Sequence, residues 1–166
     1  MKSKLMVLIA VFALTLSCSS DSEDDGLQMV GGESNLVGTW NLTSVDFTGQ
    51  SDTELNLAAE IIDNLAEEQC YLVTFVFNAD STASAEDKTN YIEVNAGPTG
   101  LDVPCPTQSD TESSTWSLEG NQLTFINADM EEETIEVAIE GNTMVIAGEV
   151  IDADNYSGAQ AIFTRG

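Results

Sequence analysis

Carboxylates are the most numerous side chains in this sequence that could do chemistry. The chain has 29 aspartate and glutamate residues, four lysine and arginine residues and no histidine. The lack of histidine excludes Ser–His–Asp and Cys–His nucleophiles and histidine-containing zinc sites. Acid–base catalysis would then fall to carboxylates or tyrosines, and no carboxylate pair stands in a catalytic motif. We therefore expect a protein that is not an enzyme, with no cofactor and no metal.

The first cysteine, Cys18, follows a segment typical of exported proteins. Two lysines precede the apolar run Leu5–Leu16, in which Thr15 is the one polar residue. This run is too short for a membrane-spanning helix, which needs about 20 apolar residues, and is typical of a cleaved secretory signal. Ser17-Cys18 resembles the end of a bacterial lipobox, which implies cleavage after residue 17 and lipid attachment at Cys18. An ordinary cleaved signal with an incidental cysteine is the alternative.

An acidic segment follows this cysteine. Residues 19–25 read SSDSEDD, and because such a run cannot bury itself, we expect residues 18–35 to form a flexible tether. The run resembles the signal that sends some Gram-negative lipoproteins to the outer face of the outer membrane. The sequence thus predicts a signal peptide (1–17), an acidic tether (18–35) and one domain (36–166). It also predicts an outer-membrane protein that is lipid-anchored and faces the cell surface.

Cys70 and Cys105 remain if Cys18 carries lipid. In an oxidising compartment, two remaining cysteines predict one disulfide bond. The two cysteines are 35 residues apart. In the chain-entropy account of disulfides, a bond that closes a loop of this length stabilises the folded protein by about 4 kcal/mol. A free-thiol or metal-binding role for the pair is the alternative.

The charge balance limits the partners. Cleavage would leave Lys88 and Arg165 as the basic side chains that face 29 acidic ones. Such a polyanion is repelled by phosphate backbones, which excludes nucleic acid as a partner, and its domain surface would not adhere to an anionic membrane. Membrane attachment would therefore depend on the lipid at Cys18, and a protein partner stays open.

The elements that must position any site are short strands separated by turn signals. They are rich in β-branched and aromatic residues, and several alternate apolar with polar positions. Hairpin links between seven or eight such strands predict an all-β antiparallel meander, which closes into a barrel because closure removes exposed strand edges. The predicted strands are Val37–Phe47, Cys70–Asn78, Ser81–Asn95 (clearest at Tyr91–Val94), Thr115–Leu118, Gln122–Asn127, Glu133–Glu140, Thr143–Val150 and Gly158–Arg165.

Two segments depart from the strand pattern. Ser51–Gln69 carries a helical stripe of apolar residues, and its Ser51-x-x-Glu54 sequence is a capping box. This helix would either form a lid over one mouth of the barrel or merely plug an end and complete the core. Ala96–Ser114 contains Gly-Pro and Pro-Cys-Pro sequences and is predicted to be a long irregular loop.

Four stretches together resemble the lipocalin-like domain of secreted bacterial lipoproteins, over residues 36–166. They read LVGTWNLTSV, CYLVTFVFNADST, STWSLEGNQLTF and AIFTR. The resemblance implies an eight-stranded up-and-down barrel with one inserted helix after the first strand. It also implies that Trp40 on the first strand packs against Arg165 on the last and closes the barrel base, a structural role. A C-terminal arginine in solvent is the alternative.

An eight-stranded barrel is wide enough to be filled by side chains or to hold one small ligand. A filled core is the plain interpretation of its apolar residues, and a ligand pocket is the functional one. Acidic residues could also gather a cation at Glu131–Glu133 or at Asp152 and Asp154, although solvated turns explain both. The candidate ligand-lining residues are Phe75, Phe77, Trp116, Phe125, Ile135, Val137, Ile139, Met144 and Phe163.

The leading functional hypothesis is a surface lipoprotein whose barrel binds a small apolar molecule. The alternative is an acidic accessory lipoprotein that acts through protein or glycan contacts and has a filled barrel core.

Overall fold

The structure is a computed structural model that describes residues 33–47, 53–97, 100–127, 130–151 and 158–166. Eight of its strands form one closed barrel in which neighbours are antiparallel. The predicted fold, an eight-stranded up-and-down barrel with one helix after the first strand, is confirmed. Cys18, most of the tether and the acidic pair Asp152 and Asp154 lie outside the described residues.

The barrel strands follow one another around the barrel in chain order, and a short separate hairpin, β4–β5, interrupts the sequence between β3 and β6. A short helix, α1 (Glu33–Leu36), precedes the first strand, and a longer one, α2 (Thr53–Glu67), follows it. The strands are β1 (Gly38–Asp46), β2 (Val73–Phe77), β3 (Thr82–Asp87), β4 (Asn95–Gly97), β5 (Gly100–Asp102), β6 (Asp110–Glu119), β7 (Gln122–Ile126), β8 (Glu132–Glu140), β9 (Thr143–Ala147) and β10 (Gln160–Arg165).

The strand register defines two ends of the barrel. At one end, which we call the base, β1 begins at Gly38 and β10 finishes at Arg165. At the other end, which we call the mouth, β3 finishes at Asp87 opposite the start of β6 at Asp110. Tight turns at Gly120-Asn121 and Gly141-Asn142 join strands at the base, as the hairpin signals predict.

Helix α2 joins β1 to β2 and packs on β1. Its predicted apolar stripe is present, because Ile62 and Leu65 are buried in the core and Leu55 and Ile61 pack against it. None of the described α2 residues lines the cavity at the mouth. The helix therefore completes the core beside β1, which is the plain interpretation of its sequence.

The predicted strand at Tyr91–Val94 is wrong. The backbone N–H and hydroxyl of Thr89 donate to one oxygen of Asp87, at 2.7 and 2.6 Å, and the chain turns there into a one-turn 3₁₀ helix that ends at Tyr91. Ile92 to Val94 belong to no strand. The apolar–polar alternation of these residues therefore does not mark a strand, because the Asp87–Thr89 turn takes the chain out of the sheet.

The predicted irregular loop Ala96–Ser114 is wrong in part. It contains most of the β4–β5 hairpin and most of the polar first half of β6, which pairs with β3 from Asp110 onward. The inward residues of this half of β6 line a cavity instead of packing in the core, so the sequence lacks the usual strand signal.

The predicted disulfide is present between Cys70 and Cys105, whose Cα atoms are 5.8 Å apart. Cys70 is buried at the entry to β2, and Cys105 lies between β5 and β6. The bond therefore ties the segment after the small hairpin to the core.

Candidate functional site: the mouth cavity

The register shows which side chains point into the barrel, because residues paired across neighbouring strands share a face. Phe77 pairs with Ala83 and Ala83 with Ser114, so all three face inward. In the same way Leu118, Leu123 and Ile135 form an inward row across β6, β7 and β8. The interior is thus lined by alternate residues of every barrel strand.

The base of the barrel is filled. Trp40 is fully buried, and its indole N–H donates to the Leu36 carbonyl oxygen at 2.7 Å. The Arg165 Cζ atom lies 4.2 Å from the Trp40 ring centroid, a cation–π distance. The two guanidinium nitrogens donate to the carbonyl oxygens of Val37 and Asn35. The structure therefore brings together the two residues that the family resemblance assigns to the base.

Aromatic rings pack beside this pair, since Phe75 is the cross-strand partner of Trp40 and Phe77 that of Gly38. Phe163 is fully buried, and its ring centroid is 5.0 Å from that of Phe75. Phe77 meets Trp116 edge to face at 5.6 Å. The Trp116 indole N–H donates to the carbonyl oxygens of Thr82 and Asn78, at 3.0 and 3.2 Å. Of these rings, those of Phe75 and Phe77 also line the cavity at the mouth.

The mouth half contains a cavity of about 680 Å³ lined by residues of β2, β3, β6, β7, β8 and β9. Its volume lies in the range of small-molecule pockets, roughly 300–1,000 Å³. Phe75, Phe125 and Ile135 face inward here yet are only half-buried. Because no protein side chain covers them fully, the apolar wall of this cavity is available to a ligand.

Charged and polar side chains surround the entrance. Asp87, Asp110, Glu112 and Glu133 all line the cavity. Asp110 accepts hydrogen bonds from Asn90 Nδ2 at 3.1 Å and from the Tyr91 hydroxyl at 2.8 Å. These donors lower the pKa of Asp110 below its usual 3.8, and the same carboxylate raises the pKa of Tyr91 above 10.0. The entrance is therefore negatively charged at neutral pH.

Five of the nine residues proposed from the sequence to line a ligand pocket do line the cavity: Phe75, Phe77, Phe125, Ile135 and Met144. Val137 and Phe163 are instead buried in the core at 2% and 0% exposure, and Ile139 packs against it. Trp116 is also buried, and the surface beside it forms a shallow second depression. The four that do not line the cavity are thus covered by neighbouring side chains, although each pairs across the sheet with a residue that does line it.

Sequence reasoning missed the small and polar part of the lining. Ala83 and Ala85 on β3 leave the space that larger side chains would fill, and Ser114 and Glu112 continue their rows on β6. The alternation of alanine with polar residues in β3 marks this face, but it is a weak strand signal because neither residue type favours strands.

Of the two acidic groups that could gather a cation, Glu131–Glu133 lies within the described residues. Glu131 directly precedes β8, Glu132 is its first residue, and Glu133 faces the cavity. No group of three or more acidic or cysteine side chains among the described residues is placed to hold a metal ion.

None of the described helices is long and apolar enough to span a bilayer.

The family model that matches this chain agrees with this architecture. Residues 36–146 match the lipocalin-like domain family, and the chain belongs to that family. Among solved structures, it is similar to a lipocalin-like protein from Bacteroides uniformis at 15% identity and a TM-score of 0.41, over 80% of this chain and 99% of that one. No curated protein matches the sequence.

Proposed function

We propose that this lipocalin-like domain is a non-enzymatic binding module that holds a small, largely apolar molecule in the mouth cavity. The observation that carries the proposal is the half-buried state of Phe75, Phe125 and Ile135 inside an otherwise packed barrel. Burying about 100 Å² of such apolar surface against a ligand contributes roughly 2.5 kcal/mol. The alternative with a filled barrel core is disfavoured by the same cavity.

Binding of a neutral fluorescent probe such as N-phenylnaphthylamine tests this proposal. We expect the probe to become fluorescent with wild-type protein. Ala85→Phe, which places a ring in the cavity, should remove the fluorescence gain. Thr111→Phe is the matched control, because Thr111 lies on the exposed outer face of β6. Equal probe binding by wild type and Ala85→Phe, with both folded by circular dichroism, would refute a ligand site in the barrel.

We further propose that the domain is held at the outer membrane by a lipid on Cys18 and faces the cell surface. The apolar run that ends at this cysteine and the acidic segment after it support this location. Metabolic labelling with a palmitate analogue should mark the wild type and leave Cys18→Ser unlabelled. Labelling of neither protein would contradict the anchor, whatever the result of the probe experiment.

A further inference from the structure

The charges of the mouth cavity all have one sign. Four carboxylates line it, from Asp87, Asp110, Glu112 and Glu133, and no lysine or arginine does so among the described residues. Beyond Lys4 the whole sequence has two basic residues. Arg165 lies at the base. Lys88 follows Asp87 at the mouth but pairs with Glu86 at 3.6 Å and does not line the cavity. The cavity lining among the described residues is therefore acidic without a basic side chain.

Two of these carboxylates stand beside the apolar wall. The cross-strand row Phe75–Ala85–Glu112 places a carboxylate and a ring on either side of a small side chain. The row Trp116–Phe125–Glu133 places a second carboxylate next to a second ring. Apolar surface and negative charge are thus combined within the same inward-facing rows.

These two carboxylates keep capacity to pair with a cationic group. Within the described residues, the Glu112 side chain has no hydrogen-bonding partner. Glu133 Oε2 accepts one long hydrogen bond, 3.4 Å, from Asn127 Nδ2. Both residues are exposed through the entrance. Their carboxylates are therefore placed to meet a ligand as it enters.

We propose that the cavity selects an organic cation with an apolar body, whose ammonium group lies at Glu112 and Glu133 while the body lies on Phe75 and Phe125. This inference rests on the proposed function, since it names the class of ligand for the same cavity. Like charges at the mouth of an apolar-walled cleft concentrate the field and attract the opposite charge. An ammonium group also gains from the nearby ring faces. A bare metal ion would leave the apolar wall uncovered, and an anionic amphiphile would be repelled at the entrance.

Competition between three ligands that share an alkyl chain and differ in the charge of the head group tests whether the cavity prefers a cation. Decyltrimethylammonium, decanol and decanoate, each at monomeric concentrations, would displace N-phenylnaphthylamine from the purified protein, with Ala85→Phe as the cavity-independent background. We expect affinity to fall in the order ammonium, alcohol, carboxylate. Raising the salt concentration should weaken binding of the ammonium compound and leave that of the alcohol nearly unchanged.

Two double variants distinguish the effect of the entrance carboxylates on ligand affinity from the effect of the net charge of the protein. E112Q/E133Q should lower the affinity for decyltrimethylammonium by about tenfold, on the scale of two exposed charge pairs, with decanol unaffected. E119Q/E140Q removes the same charge from exposed positions at the base and should change neither affinity.

The possible failures are distinguishable. Equal affinity for the alcohol and the ammonium compound, or an equal loss in both double variants, would overturn the charge preference and leave ligand binding intact. Lack of probe binding by the wild type would overturn the proposed function, and this inference with it.

Discussion

At the scale of single residues, the base depends on a close approach between Gly38 and Arg165. Gly38 has φ of +139°, and a Cβ atom there would stand 2.6 Å from the Arg165 Nη1 atom. The guanidinium cannot swing away freely, because it lies over Trp40 and donates to the Val37 carbonyl oxygen. The glycine of the Gly-Thr-Trp sequence is therefore needed for both its backbone conformation and its missing side chain.

We expect Gly38→Ala to lower the free energy of unfolding by about 2–3 kcal/mol, from backbone strain and displacement of the guanidinium. Denaturant titration measures the loss. Gly100→Ala is the matched control, because Gly100 has φ of +132° but no atom within 4 Å of the position that a Cβ atom would take. If the two variants lose the same stability, contact with Arg165 contributes nothing.

A second residue-scale feature is the pair of donors on Asp110. Because the Asn90 amide and, to a smaller extent, the Tyr91 hydroxyl lower the pKa of Asp110, this carboxylate stabilises the fold above the unfolded-state pKa. That contribution is lost as the pH falls through the lowered, folded-state value.

We expect Asn90→Ala to raise the pKa of Asp110 toward 3.8, and Tyr91→Phe to raise it by less. Carbon-detected NMR titration of the Asp110 carboxyl group follows this directly. Asp102→Asn is the control: it removes a carboxylate from the separate β4–β5 hairpin and should leave the pKa of Asp110 unchanged. An unchanged Asp110 titration in Asn90→Ala would show that the amide does not hold the carboxylate.

At the scale of elements, the sequence was most informative where strands face the core. Glu132–Glu140 alternates apolar with polar residues toward its end, and Thr143–Ala147 is a short apolar run after a turn signal. The predicted strands there agree with the structure within three residues at each end. The Cys70–Cys105 bond followed from counting cysteines. The first half of β6 was missed because it is held by backbone hydrogen bonds to β3 and faces the cavity, so its side chains carry no core signal.

The disulfide bond is expected to stabilise the fold and to hold the segment between β5 and β6 in place. Replacing both Cys70 and Cys105 by serine should lower the free energy of unfolding by up to about 4 kcal/mol, because 35 residues separate the pair. The segment between β5 and β6 should become sensitive to limited proteolysis before the barrel does. Reduction of the wild type provides the comparison. Unchanged stability and protease resistance would show that the loop is held by its other contacts.

At the scale of the whole molecule, the barrel has two halves with different roles. The base is packed by Trp40, Phe163 and their neighbours and fixes the fold, while the mouth leaves apolar wall uncovered beneath a ring of carboxylates. The residues of the base carry the family resemblance, so the fold could be predicted from the sequence. The cavity could not, because whether an inward phenylalanine is covered depends on all the side chains around it: Phe75 and Phe77 both face an alanine on β3, yet only Phe77 is buried.

The excess of acidic residues should make the thermal stability of the whole molecule depend on salt concentration. With 29 acidic residues and one ion pair, Lys88–Glu86, among the described residues, added salt has little attraction to weaken and much repulsion to screen. We therefore expect the thermal unfolding midpoint to rise with sodium chloride while the Debye length falls from about 30 to about 8 Å. Unfolding separates the charges, so screening favours the compact state. The charge-reduced E119Q/E140Q protein should start from a higher midpoint and gain less, which a calorimeter resolves. A midpoint that is flat or falls with salt in the wild type would mean that attractive pairs outweigh self-repulsion.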